Sequence, residues 1–374
     1  MIIAAQNIKY QWPGYELFNK AIEWYRKLRA RLMTLGEHSL WWSFRRCWNR
    51  LLITWLKNFR SGRHQFSPMT QYEFSGETLR VWSYLDRLIL HLILIIIKPT
   101  FKHVISPLCL HLQGPSAIKH ITQDIKTALN TKNYNYSLRI DIRSYYASID
   151  HRILLDQLYQ NYDDPILHKY FEAIVTTGID INGEVILPKC GIPIRSSLSP
   201  FFGALYLTAL DRAFENRQGI FYRRYMDDII ILVENKRQYT KARKRLFTIL
   251  KNLKLKISPH KTRMGALKTG FHFLGVDFEV SRNPQSQTQV ATVNIHNRSC
   301  RRALDKVEAM RADAVNPAHI QSYLSNWAAW WHSVTKLEKL ELIVRWVKFT
   351  GRYQHGAVWL GRGLLMFSAY YSCC

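Results

Sequence analysis

Acidic residues are scarce in this chain of 374 residues, where 27 Asp and Glu stand against 53 Lys and Arg. The resulting formal net charge of +26 attracts polyanions, and phosphate contacts would make such binding strongly salt-dependent. An anionic membrane is the competing partner. However, the basic residues are interleaved with Trp, Tyr and Phe, which suits base stacking and cation–π contacts. The charge therefore favours nucleic acid over a membrane surface.

Cysteine is scarce as well. The six cysteines are widely scattered and show no CxxC spacing, which argues against a cysteine zinc site and against a disulfide framework. We expect reduced thiols, as in a cytoplasmic protein. The first residues contain no charged region followed by an apolar stretch, so the sequence predicts no signal peptide.

Long apolar runs are absent too. The segment from Leu88 to Ile97 is interrupted by His91 and closed by Lys98 and Pro99. It falls well short of the roughly twenty residues that a membrane-spanning helix needs. The pattern predicts a buried core helix, and we expect no membrane partner.

The most informative segment runs from Tyr225 to Asp228, where two adjacent acids stand between two runs of β-forming residues. This pattern predicts a hairpin with two carboxylates at its tip. Such a pair can mark a solvated turn. Alternatively, a divalent cation offsets the repulsion of the like charges, and oxygen ligands suit Mg²⁺, with Mn²⁺ as the alternative. Asp141, at the exit of a predicted strand, would complete the carboxylate set that two-metal phosphoryl transfer requires.

Five segments of the chain resemble the motifs of the reverse transcriptase family and occur in the family's order. The region of Asp141 and Tyr146 resembles the first palm motif, and Tyr225 to Asp228 resemble the YxDD motif. The remaining three resemble the second palm motif, the lysine-bearing motif and the primer grip: Gly191 to Pro200, Ser258 to Thr262, and Gly270 to Gly275.

The resemblance implies an α+β fold, a right-hand polymerase with fingers, a palm of antiparallel sheet and helices, and a helical thumb. We expect a basic helical N-terminal extension at residues 1–65, fingers at 66–135, the palm at 136–280, and the thumb with a C-terminal tail at 281–374. The extension is either a pair of solvated surface helices or a docking surface for RNA or another subunit. Trp327, Trp330 and Trp331 are expected in the core, and a base-stacking surface is the alternative.

The hydrophobic pattern predicts the elements of the palm and thumb. The expected strands are Ser137–Asp141, Phe221–Tyr225, Ile229–Val233 and Phe271–Phe278. The expected helices are Glu77–Ile97, Ile153–Tyr162, Ser197–Phe214, Tyr239–Leu253, Arg301–Arg311 and Ile320–Val334.

The resemblance also implies roles at the catalytic site. Asp141 and Asp227 would hold the metal ions directly, together with the main chain of Ile142, and Asp228 would be a supporting ligand. Lys261 would protonate the departing pyrophosphate, or else it is a surface lysine in a basic loop. Asp150 is a different kind of acid, because its position before a helix predicts an N-cap or a salt-bridge partner.

Other residues are expected to contact the nucleotide and the primer. Arg80 and Lys119 are candidates for the triphosphate, where cations neutralise developing charge. Tyr146 matches the family's steric gate, which excludes a 2′-hydroxyl; the alternative is a core aromatic. The resemblance assigns the primer grip to Phe273, Leu274 and Gly275.

The chain departs from the family at Ile194 and Arg195, where reverse transcriptases usually carry Gln-Gly or a similar small pair. One hypothesis is that Arg195 contacts a base or phosphate in the pocket, since arginine suits bidentate recognition of guanine and phosphate. The alternative is that Arg195 turns outward to a nearby carboxylate.

We therefore expect an RNA-directed DNA polymerase, a nucleotidyltransferase whose partners are an RNA template, a DNA primer or product, and deoxynucleotides. Group II intron enzymes normally append further segments to such a palm. Retron enzymes carry a Val-Thr-Gly signature, which this sequence lacks, and diversity-generating retroelement enzymes have Ser-Gln where this chain has Ser199-Pro200. With these three groups set aside, the chain is most similar to the bacterial defence-associated and unknown-group enzymes. This similarity implies a cytoplasmic location, a structured noncoding RNA, and a homo-oligomer or a partner reverse transcriptase subunit.

Three alternatives stay open. The first is DNA polymerisation without a nucleic-acid template, directed by the altered motif around Arg195. The second is a reverse transcriptase of a mobile element. The third is a non-catalytic nucleic-acid-binding scaffold, although the intact acids Asp141, Asp227 and Asp228 argue against it.

Overall fold

The computed structural model describes residues 57–336, apart from short gaps at 75–76, 269, 283–284 and 286–288, and also residues 20, 23, 54 and 55. The described strands are β1 (Met69–Phe74), β2 (Glu77–Val81), β3 (Tyr136–Asp141), β4 (Ile179–Ile181), β5 (Glu184–Ile186), β6 (Ile220–Tyr225), β7 (Asp228–Val233), β8 (Arg263–Ala266), β9 (Phe271–Phe273), β10 (Val276–Arg282) and β11 (Gln289–Ile295). The described α-helices are α1 (Tyr84–Val104), α2 (Ala117–Thr131), α3 (Tyr145–Ser148), α4 (His151–Tyr159), α5 (Pro165–Val175), α6 (Ser199–Tyr206), α7 (Thr208–Phe214), α8 (Lys236–Asn252), α9 (Asn297–Ala312) and α10 (Pro317–Thr335).

The sheet that positions the site has the strand order β6-β7-β3-β8, and all of its strand pairs are antiparallel. The inner strand β7 is buried on both faces, and its sequence is accordingly a continuous apolar run after Asp228. Ile229 and Ile231 point into one core, which α1, α5 and α6 also fill. Ile230 and Leu232 point into a second core, shared with α2 and β11. This sheet and its covering helices confirm the α+β prediction.

The described residues form two further sheets. The first has the order β2-β1-β4-β5, and the second has the order β11-β10-β9. The predicted helix from Glu77 is wrong in its first part, because residues Glu77–Val81 form β2 and pair with β1. Arg80 therefore lies on a strand and not on a helix. Backbone pairing with the preceding segment overrides the helical pattern there.

Helix α1 begins after Ser83, whose hydroxyl accepts a hydrogen bond from the backbone N–H of Asp86. The expectation that Pro99 closes this helix is also wrong, because α1 continues to Val104. A proline inside a helix removes one hydrogen bond. Burial of Ile97 and Phe101 on either side of it offsets that loss.

Two other predicted elements are divided. The expected strand Phe271–Phe278 is a hairpin, in which Leu274 and Gly275 form the turn between β9 and β10 with φ angles of 49° and 81°. A Cβ on Gly275 would lie 2.9 Å from the hydroxyl of Ser299, so both the conformation and the space require glycine. The expected helix Ser197–Phe214 is likewise broken at Leu207 into α6 and α7.

The helices predicted at Arg301–Arg311 and Ile320–Val334 are confirmed as α9 and α10, and their assignment to a thumb stays a prediction. Trp331 is buried in the second core, and Trp327 and Trp330 pack against it, which confirms the core interpretation. Most of the expected N-terminal extension and the C-terminal tail lie outside the described residues. Within the part of the chain that the structure describes, no helix combines the length and the apolar character needed to cross a membrane.

Candidate active site

Three carboxylates meet where β3 and β7 lie side by side. Asp141, the last residue of β3, is the direct cross-strand partner of Asp228, the first residue of β7. Directly opposite residues of an antiparallel pair project from the same face of the sheet. Asp227 precedes Asp228 in the tight turn that joins β6 to β7, where Tyr225 pairs with Asp228. The sequence prediction of a hairpin carrying these acids is confirmed.

The three acids repel one another in a poorly solvated place. Burial, followed by the charges of Asp227 and Asp141, raises the pKa of Asp228 to about 7. Burial also raises the pKa of Asp227, and the charge of Asp141 adds to that effect. Such a set of oxygen donors is electrostatically incomplete without a cation. The donors therefore fit a magnesium-type ion, which prefers carboxylate and carbonyl oxygens.

A buried arginine holds the turn that carries Asp227. The guanidinium of Arg224 donates to the backbone carbonyl of Met226 over 3.0 Å and to Asp211 of α7 over 2.7 Å. Met226 has a left-handed backbone with a φ of 55°, a conformation that side chains other than glycine adopt at a cost. Tyr222 also donates to Asp211, over 2.6 Å. This buried network fixes the backbone on which the acids stand.

His111 supports the same turn from a different part of the chain. Its Nδ1 atom accepts a hydrogen bond from the backbone N–H of Met226 over 3.2 Å, and its Nε2–H donates to the carbonyl of Pro200 over 3.0 Å. Burial lowers the pKa of His111 to about 4, so the ring is neutral and holds one tautomer. His111 thus connects the turn that carries Asp227 to the segment that resembles the second palm motif. None of the sequence motifs includes His111.

Tyr146 lies close to the acids and to α6. A Cβ on Gly203 would lie 3.0 Å from a carbon of the Tyr146 ring, so the glycine gives the ring room to approach the helix. Burial, followed by the charge of Asp227, raises the pKa of Tyr146 to about 12. The carbonyl of Tyr146 accepts the N–H of Ile192 over 2.9 Å. The first and second palm motifs are therefore joined at this residue.

Arg195 stands on the exposed side of the second motif. It has a φ of 66°, in the left-handed region that favours glycine, and its side chain is exposed. This backbone explains why a glycine suits the position that the family usually gives to a small residue. The role of Arg195 in nucleotide recognition stays a prediction.

Lys261 reaches the site from the loop before β8. Its ammonium lies 3.3 Å from a carboxylate oxygen of Asp141, while most of its side chain is exposed. Asp150 is separate from this cluster, as expected. It caps α4 by accepting the N–H of Ile153, and it pairs with Lys254, which lowers the pKa of Asp150.

The remaining predicted residues lie on other elements. The exposed Arg80 on β2 donates to the side chain of Gln71 over 3.2 Å, and Lys119 lies in the first turn of α2, half-buried. Phe273 is buried in the second core, beside the turn formed by Leu274 and Gly275. Contacts of these residues with a triphosphate or a primer stay predictions.

A family model described as reverse transcriptase (RNA-dependent DNA polymerase) matches residues 76–278. This match covers more than half of the chain and includes every element of the site. The chain belongs to the reverse transcriptase family.

Comparison with solved structures gives a similarity to telomerase from Candida albicans in complex with a TWJ fragment of telomeric RNA. The identity is 13% and the TM-score is 0.46, over 67% of this chain and 50% of the telomerase chain. The chain thus spans about half the length of that relative. No curated protein matches the sequence.

Proposed function

We propose that this protein is an RNA-directed DNA polymerase that extends a DNA primer with deoxynucleotides. In this reaction the 3′-hydroxyl of the primer attacks the α-phosphate of the nucleotide, and pyrophosphate leaves. The observation that carries the proposal is the cross-strand pairing of Asp141 with Asp228 beside Asp227. Membership of the family supports the same activity.

The residues that would hold divalent ions are Asp141, Asp227 and Asp228, together with the main chain of Ile142. When bound, Mg²⁺ or Mn²⁺ lowers the pKa of the attacking hydroxyl and stabilises the charge on the departing pyrophosphate. Lys261 lies against Asp141 and is the nearest described candidate for donating a proton to the leaving group. Arg224 and His111 keep the turn in place while the reaction proceeds.

Selection of the sugar is assigned to Tyr146. Its ring packs against Gly203 of α6 and lies near enough to Asp227 to feel its charge. In this role the ring would collide with a 2′-hydroxyl on the incoming nucleotide, so that DNA would be the product. The basic charge of the whole chain supports binding of an RNA template and of the growing strand.

The biological setting that we propose is bacterial antiviral defence, in the cytoplasm, with a dedicated structured noncoding RNA as template. Its support is the sequence of the second motif, where Ser199-Pro200 replaces the Ser-Gln of diversity-generating retroelement enzymes. Assembly into a homo-oligomer or with a second reverse transcriptase subunit belongs to the same proposal. A mobile-element enzyme is the competing setting.

A second function, DNA synthesis without a nucleic-acid template, is favoured by one observation. Arg195 replaces the small residue of the family at a left-handed position. A guanidinium there could select a base in place of a template. The two functions differ in whether the product sequence follows an added RNA.

The test supplies purified full-length protein with Mg²⁺, four deoxynucleotides and a primed RNA of defined sequence, with and without ribonuclease treatment. The proposed function predicts a product complementary to the added RNA and lost after ribonuclease. Synthesis that survives ribonuclease supports the second function instead. No product with any template, including RNA that co-purifies with the protein, overturns both and supports a nucleic-acid-binding scaffold.

A further inference from the structure

Three potential metal ligands meet at one end of the sheet β11-β10-β9, outside the catalytic site. His272 on β9 is the direct cross-strand partner of Asp277 on β10, and His296 occupies the N-cap position of α9, just after β11. One ligand atom from each of the three side chains lies within 4.8 Å of the other two. The fold therefore brings two imidazoles and one carboxylate together from three separate elements.

The two histidines of this cluster differ in their hydrogen bonding. The Nδ1 atom of His296 lies 2.9 Å and 3.0 Å from the two carboxylate oxygens of Asp277. The Nδ1 atom of His272 is 3.9 Å from the same carboxylate, which is too far for a hydrogen bond. That atom is buried and has no hydrogen-bond partner among the described residues. Buried polar atoms in folded proteins are usually satisfied, so this one requires an explanation.

We propose that His272, Asp277 and His296 bind a divalent cation of the zinc type. Two imidazole nitrogens with one carboxylate oxygen are a common zinc donor set, whereas magnesium prefers oxygen alone. Zinc–nitrogen distances are about 2.0–2.1 Å, so ligands of one ion lie somewhat more than 3 Å apart. The 3.9 Å between His272 and Asp277 needs only a small adjustment to meet this requirement.

The surrounding charges permit such an ion. A metal ion binds the unprotonated form of an imidazole nitrogen. Two cations, Arg139 and Arg298, act electrostatically on His272. The guanidinium of Arg139 donates hydrogen bonds to the backbone carbonyls of His272 and Lys261. The carboxylate of Asp277 supplies the negative charge that attracts a cation to the cluster.

Binding at this site would join the β9–β10 hairpin to the first thumb helix. The turn residue Gly275 already accepts the N–H of His296 over 3.0 Å and the hydroxyl of Ser299 over 3.3 Å. A metal between His272 and His296 would add a bond between the same two elements. The hairpin is the segment predicted to grip the primer, so the ion would fix its position relative to α9.

The test measures zinc binding, which does not depend on polymerase activity. Untagged full-length protein carrying Asp227→Asn, which weakens the catalytic carboxylate set, is stripped with chelator and dialysed against Zn²⁺. Bound zinc is measured by mass spectrometry for this protein and for the further variants His272→Gln and His296→Gln. The matched control is His319→Gln, at an exposed position on α10.

We expect one equivalent of zinc in the parent and in the His319 variant, and less than a fifth of that in the other two. Equal zinc in all four proteins, or none in the parent, overturns the proposal. X-ray absorption of the zinc-loaded parent gives a reading that does not require the variants to fold. Two imidazole ligands support the site, and coordination by oxygen alone contradicts it.

Discussion

Arg224 and Asp211 form an ion pair in which both side chains are 0% exposed. Burial alone would lower the pKa of Arg224, but the carboxylate of Asp211 more than offsets this and raises it well above its usual value. The pair joins β6 to α7, and its guanidinium also holds the carbonyl of Met226. The position of the turn that carries Asp227 therefore depends on a charge pair that sequence patterns do not reveal.

Asp211→Asn should destabilise the protein by about 3–5 kcal/mol, because it leaves the charge of Arg224 buried and unpaired. The double variant Arg224→Met, Asp211→Asn should lose clearly less stability than the two single variants added together. Urea unfolding of all four proteins measures the coupling. Strictly additive losses would show that the pair does not act as a unit.

His111→Ala should lower kcat by about 10–100-fold, because small displacements of catalytic groups are costly. The substitution removes the acceptor for the N–H of Met226 and the donor to Pro200. KM for the nucleotide should change little, since His111 faces the backbone of the turn. Steady-state kinetics beside His103→Ala, an exposed histidine on α1, provide the check. A kcat within twofold of wild type would show that the contact between His111 and the turn does not affect catalysis.

Tyr146→Ala should increase the use of ribonucleotides relative to deoxynucleotides by about 10–100-fold, because loss of a pocket contact changes discrimination on that scale. Tyr146→Phe keeps the ring and should keep the wild-type preference. The ratio of kcat/KM for the two nucleotide classes measures the effect. If alanine leaves that ratio unchanged, the ring has only a packing role.

The unfolding free energy should fall as the pH decreases from 6.5 to 4, partly because of His91 in α1. Burial, followed by the charge of Lys98, lowers the pKa of His91 from 6.5 to about 4. Between these values the unfolded chain binds a proton that the folded protein excludes, so acid favours unfolding. The His91→Leu variant should show a shallower slope in urea unfolding across this range. The exposed His103→Leu should match wild type, and equal slopes in all three proteins would contradict the prediction.

The elements with strong local signals could be predicted from the sequence. The strand ending at Asp141 and the hairpin at Asp227 and Asp228 combine β-forming runs with a polar turn, and the structure has them as expected. The sequence pattern does not predict the strands β1, β4, β5, β8 and β11, and it predicts a helix where the structure has β2. Their pairing with distant or adjacent segments, not their own pattern, decides their conformation.

The supporting residues could not be predicted, because their roles arise from contacts across long stretches of chain. His111 meets Met226 at a separation of 115 residues. The ligands of the proposed zinc site likewise come from three elements, whereas the zinc sites that a sequence reveals have closely spaced ligands. The left-handed backbone at Arg195 is also a property of the folded loop, although the missing glycine marks the position.

Catalysis by Asp141, Asp227 and Asp228 can be tested through the single-turnover rate of adding one deoxynucleotide to a DNA primer on an RNA template. We expect Asp227→Asn to reduce this rate at least about a thousandfold, because a lost ion contact removes several kcal/mol of transition-state stabilisation. Asp163→Asn, at an exposed position, should extend the primer at the wild-type rate. A rate for Asp227→Asn within tenfold of wild type would contradict catalysis at these three carboxylates.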